Sequence, residues 1–593
     1  MPPSARHTPP GPPVGDGGTT APASQTRAEP LFPKSSGQHS DATAPCATAA
    51  GEAPAPKDHH RAGLVSSAAA NASTSLASFP FSTPLPAQPH PLQKAAKAAP
   101  KPLMPLDTIM ARRMNISPEI YRKLTPEQLE TWQCARVRET LAQARVYSPH
   151  YALMLASSPP GAIRHYADMA LLPRMSAWDL REYGLSMLCV SQDEIARVVT
   201  LHTSGTSGKP KRLFFSQSDL DATTEFFTEG MRSVAQPGER VLALLPDDRP
   251  SSVGRLLAQS ISRMGARPLT GNVTMGGEAL AHMAYTNGVR AIVGSPMHLR
   301  LFALGWQALK LPPGHIHTAL LCWDAIPRAV TRLLHSVLGC RTLAHWGMTE
   351  TGLGGALSCT ENSGMHLREA DLLVEITDVR TGRPLPVGEW GEITITTLCR
   401  CAMPLIRYRT GDAGRLLPGS CPCGSRMRRL DFSPGRFADV IQLPSGAHLR
   451  PLDIEEALLP IHELADYHAS WHEARQHAIL NQEKTPPQAN PTLRVTLLFP
   501  PTAVATEASL LRQKAQQRLV GIPQLGPLLA RGTVRLELAT DVLDPKAHDF
   551  SKRRIVQDSP GSQPAARTDA QTTDTTDTAA LRIWTATKQR DQQ

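Results

Sequence analysis

Thr203, Ser204, Gly205, Thr206, Ser207, Gly208 and Lys209 follow one another without a break, putting hydroxyls, two glycines and a lysine in one short stretch. A loop of this kind can wrap a phosphate chain with bare amides and hydroxyls, while the lysine adds charge. It is not the Walker pattern: the glycine spacing differs, and no Ser or Thr follows the lysine. Standing alone, it also reads as a polar surface turn. A second chemistry sits in the cysteines. Cys421 and Cys423, with Cys359 and His366 upstream, offer three thiolates and one imidazole, the donor types of a tetrahedral zinc site. Their Cys-x-Cys spacing is tighter than the common one, so an all-cysteine set of Cys399, Cys401, Cys421 and Cys423 stands as a rival, with four reduced thiols as a third reading. No Gly-x-Ser-x-Gly elbow and no His-Glu-x-x-His pattern occurs, which removes support for a serine hydrolase or a zinc protease.

The chain that must position these residues has 593 of them, enough for two to four domains of about 100 to 200 residues. Residues 1–106 hold 20 of the 54 prolines and only three aromatics, Phe32, Phe79 and Phe81. That is too little apolar surface to offset chain entropy, so 1–106 is expected to be a disordered extension, and 559–593 a second loose tail. From Leu106 onward Ser117 before Pro118 and Thr125 before Pro126 mark two helix starts, with proline at the first helical position. Short apolar runs then alternate with helical stretches from Arg240 to Glu350, the sign of an α/β fold with a mainly parallel sheet. Strand-rich sequence from Leu372 suggests a β subdomain on that sheet, and from Arg436 a small α+β domain is expected. The boundaries read as 107–435 for the large domain and 436–558 for the small one.

Net charge is +10, and the first 106 residues carry eight Lys or Arg against five acids while 559–593 carry four of each, which leaves +7 for the middle. A bias so mild, without a Lys/Arg run interleaved with aromatics, argues against a nucleic-acid partner and suits small anionic ligands. No apolar run approaches the about 18 residues of a membrane span, and no secretory h-region follows the first charges, so a cytoplasmic location is expected.

The phosphate-type loop has companions downstream: Trp346 to Glu350 (WGMTE), Tyr408 to Asp412 (YRTGD), Gly435 to Asp439 (GRFAD) and Lys552 in FSKRRIVQD. In that order and at those separations they resemble the core motifs of the adenylate-forming superfamily of acyl-CoA ligases and adenylation domains. The stretches GMHLREADLLVEITD, TTLCRCAMPLIRYRTGD and CPCGSRMRRLDFSPGRFADVI are most similar to phenylacetate-CoA ligases, and the resemblance runs from about 107 to 558.

The resemblance implies a ligase that joins a small-molecule carboxylic acid, aryl or arylacetic in type, to coenzyme A through an acyl-adenylate made from ATP and Mg2+. It implies that Thr203 to Lys209 hold the β and γ phosphates, that Trp346 stacks on adenine, and that Thr349 and Glu350 sit at the α phosphate with Glu350 as a magnesium ligand. Asp412 would hold the ribose, Arg436 the ribose-phosphate side at a hinge, Lys552 the α phosphate during adenylation, and Gly446 the pantetheine after the small domain turns. A similar Cys, His, Cys-x-Cys pattern in that group supports a structural zinc on Cys359, His366, Cys421 and Cys423. Three departures stand out: Ala438 replaces an acid at the hinge, Asp324 to Pro327 replaces an expected Gly-Ala-Glu-Pro, and Lys552 is about one residue out of register. Two rival readings follow, an adenylating enzyme that passes the acyl group to a carrier protein or an amine, and a nucleotide-binding homologue without catalysis. Phe226, Phe227 and Ser295 to His298 are the candidate acid-pocket residues.

Overall fold

The computed structural model describes residues 103–558 apart from 159, 202–208, 248, 250, 399, 433–434, 474–489, 500–504 and 544–554. Both expected helix starts form. Ser117 accepts from Ile120 N at 3.4 Å, and Thr125 closes a capping box with Gln128 at the head of the helix Pro126–Tyr147. A further helix, Pro105–Met114, precedes them and begins just inside the stretch assigned to the extension. Its anchor is Asp107, fully buried, which accepts from Ser425 Oγ at 3.0 Å and from Arg426 N at 3.3 Å. That contact joins residues more than three hundred positions apart, so no local pattern announces it.

An 11-stranded sheet organises the large domain. Five strands run parallel in the order Arg267–Thr270, Arg240–Ala243, Val289–Gly294, Thr318–Leu321 and Arg341–Trp346, with helices between them. The fifth also pairs antiparallel with Ala356–Ser358, placing His345 opposite Leu357 and Trp346 opposite Ala356. From there the sheet continues antiparallel through Met365–Leu367, Arg429–Asp431, Tyr408–Leu417, Gly391–Thr397 and Leu372–Thr377. The strand Arg341–Trp346 is therefore the seam between the two halves, and the residues that follow it emerge where the direction rule changes. Ligands in open α/β sheets collect at such breaks in strand order.

Toward the C-terminus, Asp466–His472, Thr492–Phe499, Arg535–Val542 and Ile555–Asp558 make a four-stranded sheet. One buried arginine fastens this part to the parallel half. Arg300, in the helix Pro296–Ala308 and 0% exposed, donates Nη1 to Leu464 O at 2.7 Å and to Ala465 O at 3.2 Å. Its Nη2 reaches Ile461 O at 2.7 Å and Leu459 O at 3.2 Å. Glu456 accepts from Arg328 N and Ala329 N at the start of the helix Arg328–Leu338, a second tie between the same parts. Arg300→Met keeps the stem and strips the donors from several buried carbonyls. It should lower unfolding free energy by about 3 kcal/mol, read as a shift of the urea midpoint, and an unchanged midpoint would contradict the tie.

Among the described residues no helix is long and apolar enough to cross a membrane.

Candidate active site

Immediately after the seam strand, Gly347 and Met348 lead into a single turn, Thr349–Thr351. A Cβ on Gly347 would lie 2.9 Å from both Gly354 Cα and Leu353 O, so only glycine lets the chain double back here. The turn carries Glu350 inward, 2% exposed. Lys211 Nζ is seated on Glu350 Oε1, and Tyr408 donates its hydroxyl to the same oxygen at 2.9 Å. Lys211 opens the strand Lys211–Ser216 of a two-stranded ribbon, and Tyr408 opens the strand Tyr408–Leu417. Burial alone would push the Glu350 carboxyl up, but the Lys211 ammonium and the Tyr408 hydroxyl hold it below its ordinary 4.5. The sign follows: the pair stabilises the fold at neutral pH, and that contribution is lost as pH falls through the depressed folded-state value.

Asp412 lies further along the same strand as Tyr408. Trp346 donates Nε1 to Asp412 Oδ2 at 3.0 Å, and Arg436 donates Nε to Oδ1 at 2.9 Å. Arg436 also reaches Thr410 O at 2.9 Å. Burial lowers the basicity of that guanidinium, but the Asp412, Asp439 and Glu350 carboxylates together raise it above its ordinary value. The expected ribose and hinge residues thus touch. Trp346 is 3% exposed, with its indole edge on Asp412, and Phe432 lines a neighbouring cavity.

Two cavities open beside this turn. One, of about 660 Å³ counting its mouth, is mainly apolar but carries some polar residues, and is lined by Asp324, Ala325, Ile326, His345, Asp431 and Phe432 among others. The divergent segment at Asp324 therefore stands on a cavity wall. The other, of about 480 Å³ counted in the same way, is lined by Phe226, Phe227, Met231, Leu257, Trp323 and His345 among others. His345 belongs to both walls. Trp323 and Leu353, both on the apolar wall, hold positive φ values of 81° and 68°, a strained backbone for large side chains. Phe226 and Phe227, two of the residues expected to line an acid pocket, stand in the wall of this cavity. Ser295 to His298 do not line the cavity: Ser295 caps its helix, and His298 Nδ1 lies 3.2 Å from Leu244 O.

Lys209 is exposed and pairs with Glu182 at 2.9 Å, and Gly446 sits with φ of 79° at the tip of the hairpin Ile441–Gln442 to His448–Leu449. Thr203, Ser204, Gly205, Thr206, Ser207, Gly208, Lys552 and Cys399 lie outside the described residues. Lys211 and Tyr408, which complete the Glu350 cluster, were not singled out from sequence. Tyr408 opens the quoted YRTGD motif and Lys211 stands two residues past the phosphate-type loop, and each finds Glu350 only through the tertiary fold.

The second cluster is clear in the structure. Cys359 follows the strand Ala356–Ser358, His366 lies in Met365–Leu367, and Cys421 and Cys423 occupy the loop after Tyr408–Leu417. Cys359 and Cys421 sulfurs stand 3.6 Å apart, Cys423 Sγ and His366 Nε2 3.3 Å apart, and the four ligand atoms all lie within 4.8 Å of one another. Thiolates at the usual zinc distance span tetrahedral edges of about 3.8 Å, so donors and separations fit one four-coordinate ion. Cys401 lies elsewhere, donating its backbone N–H to Asp219 Oδ1 at 2.9 Å.

Residues 188–399 match the family model of AMP-binding enzymes. The chain is similar to the phenylacetate-coenzyme A ligase of Thermus thermophilus, 28% identical over 367 residues that make 60% of this chain and 80% of that protein. It is also 27% identical over 352 residues to the phenylacetate-coenzyme A ligase of Escherichia coli K12, covering 58% of this chain and 78% of that one. A crystal structure of a 2-hydroxyisobutyryl-CoA ligase in the postadenylation state superposes with TM-score 0.59 and 20% identity, covering 72% of this chain and 89% of that one. That likeness concerns the fold.

Proposed function

We propose that this chain, which matches the AMP-binding enzyme model over residues 188–399 and is similar to phenylacetate-coenzyme A ligases, is an adenylate-forming enzyme that converts a carboxylic acid to its coenzyme A thioester through an acyl-adenylate. One observation carries the reading: His345 stands in the walls of both an apolar cavity and a second one that carries Asp324, Asn362 and Asp431, close to the turn that buries Glu350 against Lys211. An adenylate needs such a junction, because its nucleotide and its acyl group differ in polarity but share one phosphorus.

In the first step the acid's carboxylate attacks the α phosphorus of ATP, forming the mixed anhydride and expelling pyrophosphate. Two anions must meet, so placement and charge are the enzyme's main contribution. Thr203 to Lys209 would hold the departing phosphates, and Lys211 adds a buried cation at Glu350. Asp412 would receive the ribose hydroxyls with its free lone pairs while Arg436 fixes its orientation. Phe432 and the Asp324 to Ile326 wall would enclose adenine. A magnesium ion at Glu350 would supply further charge neutralisation and would share that carboxylate with Lys211.

In the second step the coenzyme A thiol displaces AMP. Lys552 serves only the first step, and the small domain then turns to bring Gly446 toward the pantetheine. The Arg300 and Glu456 ties would have to yield in that motion, which makes their strength a control on it.

The thiol and imidazole cluster would hold a structural zinc that pins the antiparallel half. Purified protein should then carry about one zinc per chain, and Cys423→Ser should lower both the zinc content and the melting temperature. Full stability in metal-free protein would reject the site. The function itself is tested by pyrophosphate release across aryl, arylacetic and short aliphatic acids, with and without coenzyme A.

A further inference from the structure

One short piece of chain serves both the thiol and imidazole cluster and the cavity that would enclose adenine. Cys359 and His366 are two of the four donors, and Ser358, Asn362, Gly364 and Met365, beside and between them, line that cavity. The far side of the same wall is tied in too. Asp431 and Phe432 line it, and Asp431 ends the strand Arg429–Asp431, whose Arg429 pairs with His366. Arg429 then fastens the piece to the loop that carries the other two donors. Its Nη1 donates to Ser363 O at 2.7 Å and to Ser363 Oγ at 2.9 Å, while its Nη2 donates to Pro418 O at 2.7 Å and to Gly419 O at 3.2 Å. Ser363 Oγ also lies 3.4 Å from Cys421 Sγ. Inside the piece the backbone is sharply turned, with φ of 48° at Asn362 and 94° at Gly364, where a Cβ would run into Leu417. The apolar cavity, by contrast, takes no wall residue from 358 to 366.

A turn fixed at both ends by donors to one ion keeps its shape while the donors are held, and releasing them frees the wall along with the ends. We infer that zinc and an adenine nucleotide bind this chain with positive coupling, with Ser363 and Arg429 as the positioning residues that join the metal cluster to the nucleotide cavity. Such coupling is reciprocal: a metal that tightens the nucleotide must itself be tightened by the nucleotide, by the same factor. The coupling is also local, because the piece of chain that holds the donors borders one cavity and not the other. This inference rests on the reading of the larger cavity as the nucleotide site and of the cluster as a zinc site.

The test is AMP binding to the zinc-loaded and the metal-free full-length chain, together with zinc affinity measured by chelator competition with and without AMP. CMP controls for the affinity of a nucleotide phosphate for zinc. Sucrose, at the concentration that raises the melting temperature as much as AMP does, controls for stabilisation of the whole fold. Removing zinc should weaken AMP about tenfold, and saturating AMP should tighten zinc about tenfold. Ser363→Ala should keep about one zinc per chain and shrink both effects to about threefold, while Ser363→Thr, which retains the hydroxyl, should keep them in full. Equal AMP affinity with and without zinc would overturn the coupling and leave the nucleotide reading standing. Equal tightening of zinc by CMP or by sucrose would overturn it as well, by reducing the effect to chelation or to general stability. Both effects undiminished in Ser363→Ala would overturn the route through Ser363. A chain that takes up no zinc when supplied with it would overturn the coupling along with the zinc site, and failure of both forms to bind AMP would overturn it along with the nucleotide reading.

Discussion

Glu350→Gln should reduce the pyrophosphate-forming step by about a hundredfold to a thousandfold. The carboxylate is buried, charged and already engaged by Lys211 and Tyr408, so it sets the electrostatics of the turn on which the α phosphate would lie. Glutamine keeps the shape and removes the charge. The same substitution strands a largely buried ammonium, which should cost about 3 kcal/mol of stability. A double mutant separates the two effects. Glu350→Gln with Lys211→Met should regain most of the lost stability because neither charge is then unpaired, and it should regain none of the activity. Recovery of activity in the double mutant would show that Glu350 serves only to neutralise Lys211.

Lys552→Ala should cripple acyl-adenylate formation by several kcal/mol, yet convert supplied acyl-adenylate and coenzyme A to thioester at near the normal rate. The asymmetry comes from charge. A lysine offsets repulsion while carboxylate and phosphate approach, whereas displacement of AMP by a thiol brings no second phosphate anion to neutralise. Equal damage to both half-reactions would assign the lysine a structural role, and no damage to either would move the role to a neighbour such as Lys546.

Much of the fold could be read from local pattern. Alternating apolar and helical runs point to the parallel strands, and the caps at Ser117 and Thr125 are present as written, because capping depends on residues three apart. Cys359, His366, Cys421 and Cys423 could be grouped from ligand type and the resemblance, with an all-cysteine set left as a rival, and the fold brings their four ligand atoms within 4.8 Å of one another. Phe226 and Phe227 could be placed in a pocket because they sit on one helix following the phosphate-type loop.

Other contacts are absent from local pattern because they join distant residues. Lys211 meets Glu350 across 139 positions, and Arg300 meets Leu464 across 164. A lysine in a basic run and an arginine on an apolar helix give no sign of their partners. His345 is the subtlest of these. It reads as one polar residue in a strand, and only the folded chain shows that its Nε2 is enclosed without a hydrogen-bond partner.

The most direct measurement is a single assay on the full-length chain: pyrophosphate, AMP and thioester followed together with MgATP and an aromatic carboxylic acid, before and after coenzyme A is added. Pyrophosphate should appear only when the acid is present, and AMP and thioester should then rise together on addition of coenzyme A. No acid-dependent pyrophosphate with any aryl, arylacetic or aliphatic acid would contradict carboxylate activation, and pyrophosphate followed by AMP release only to an amine or a carrier protein would contradict the thioester step.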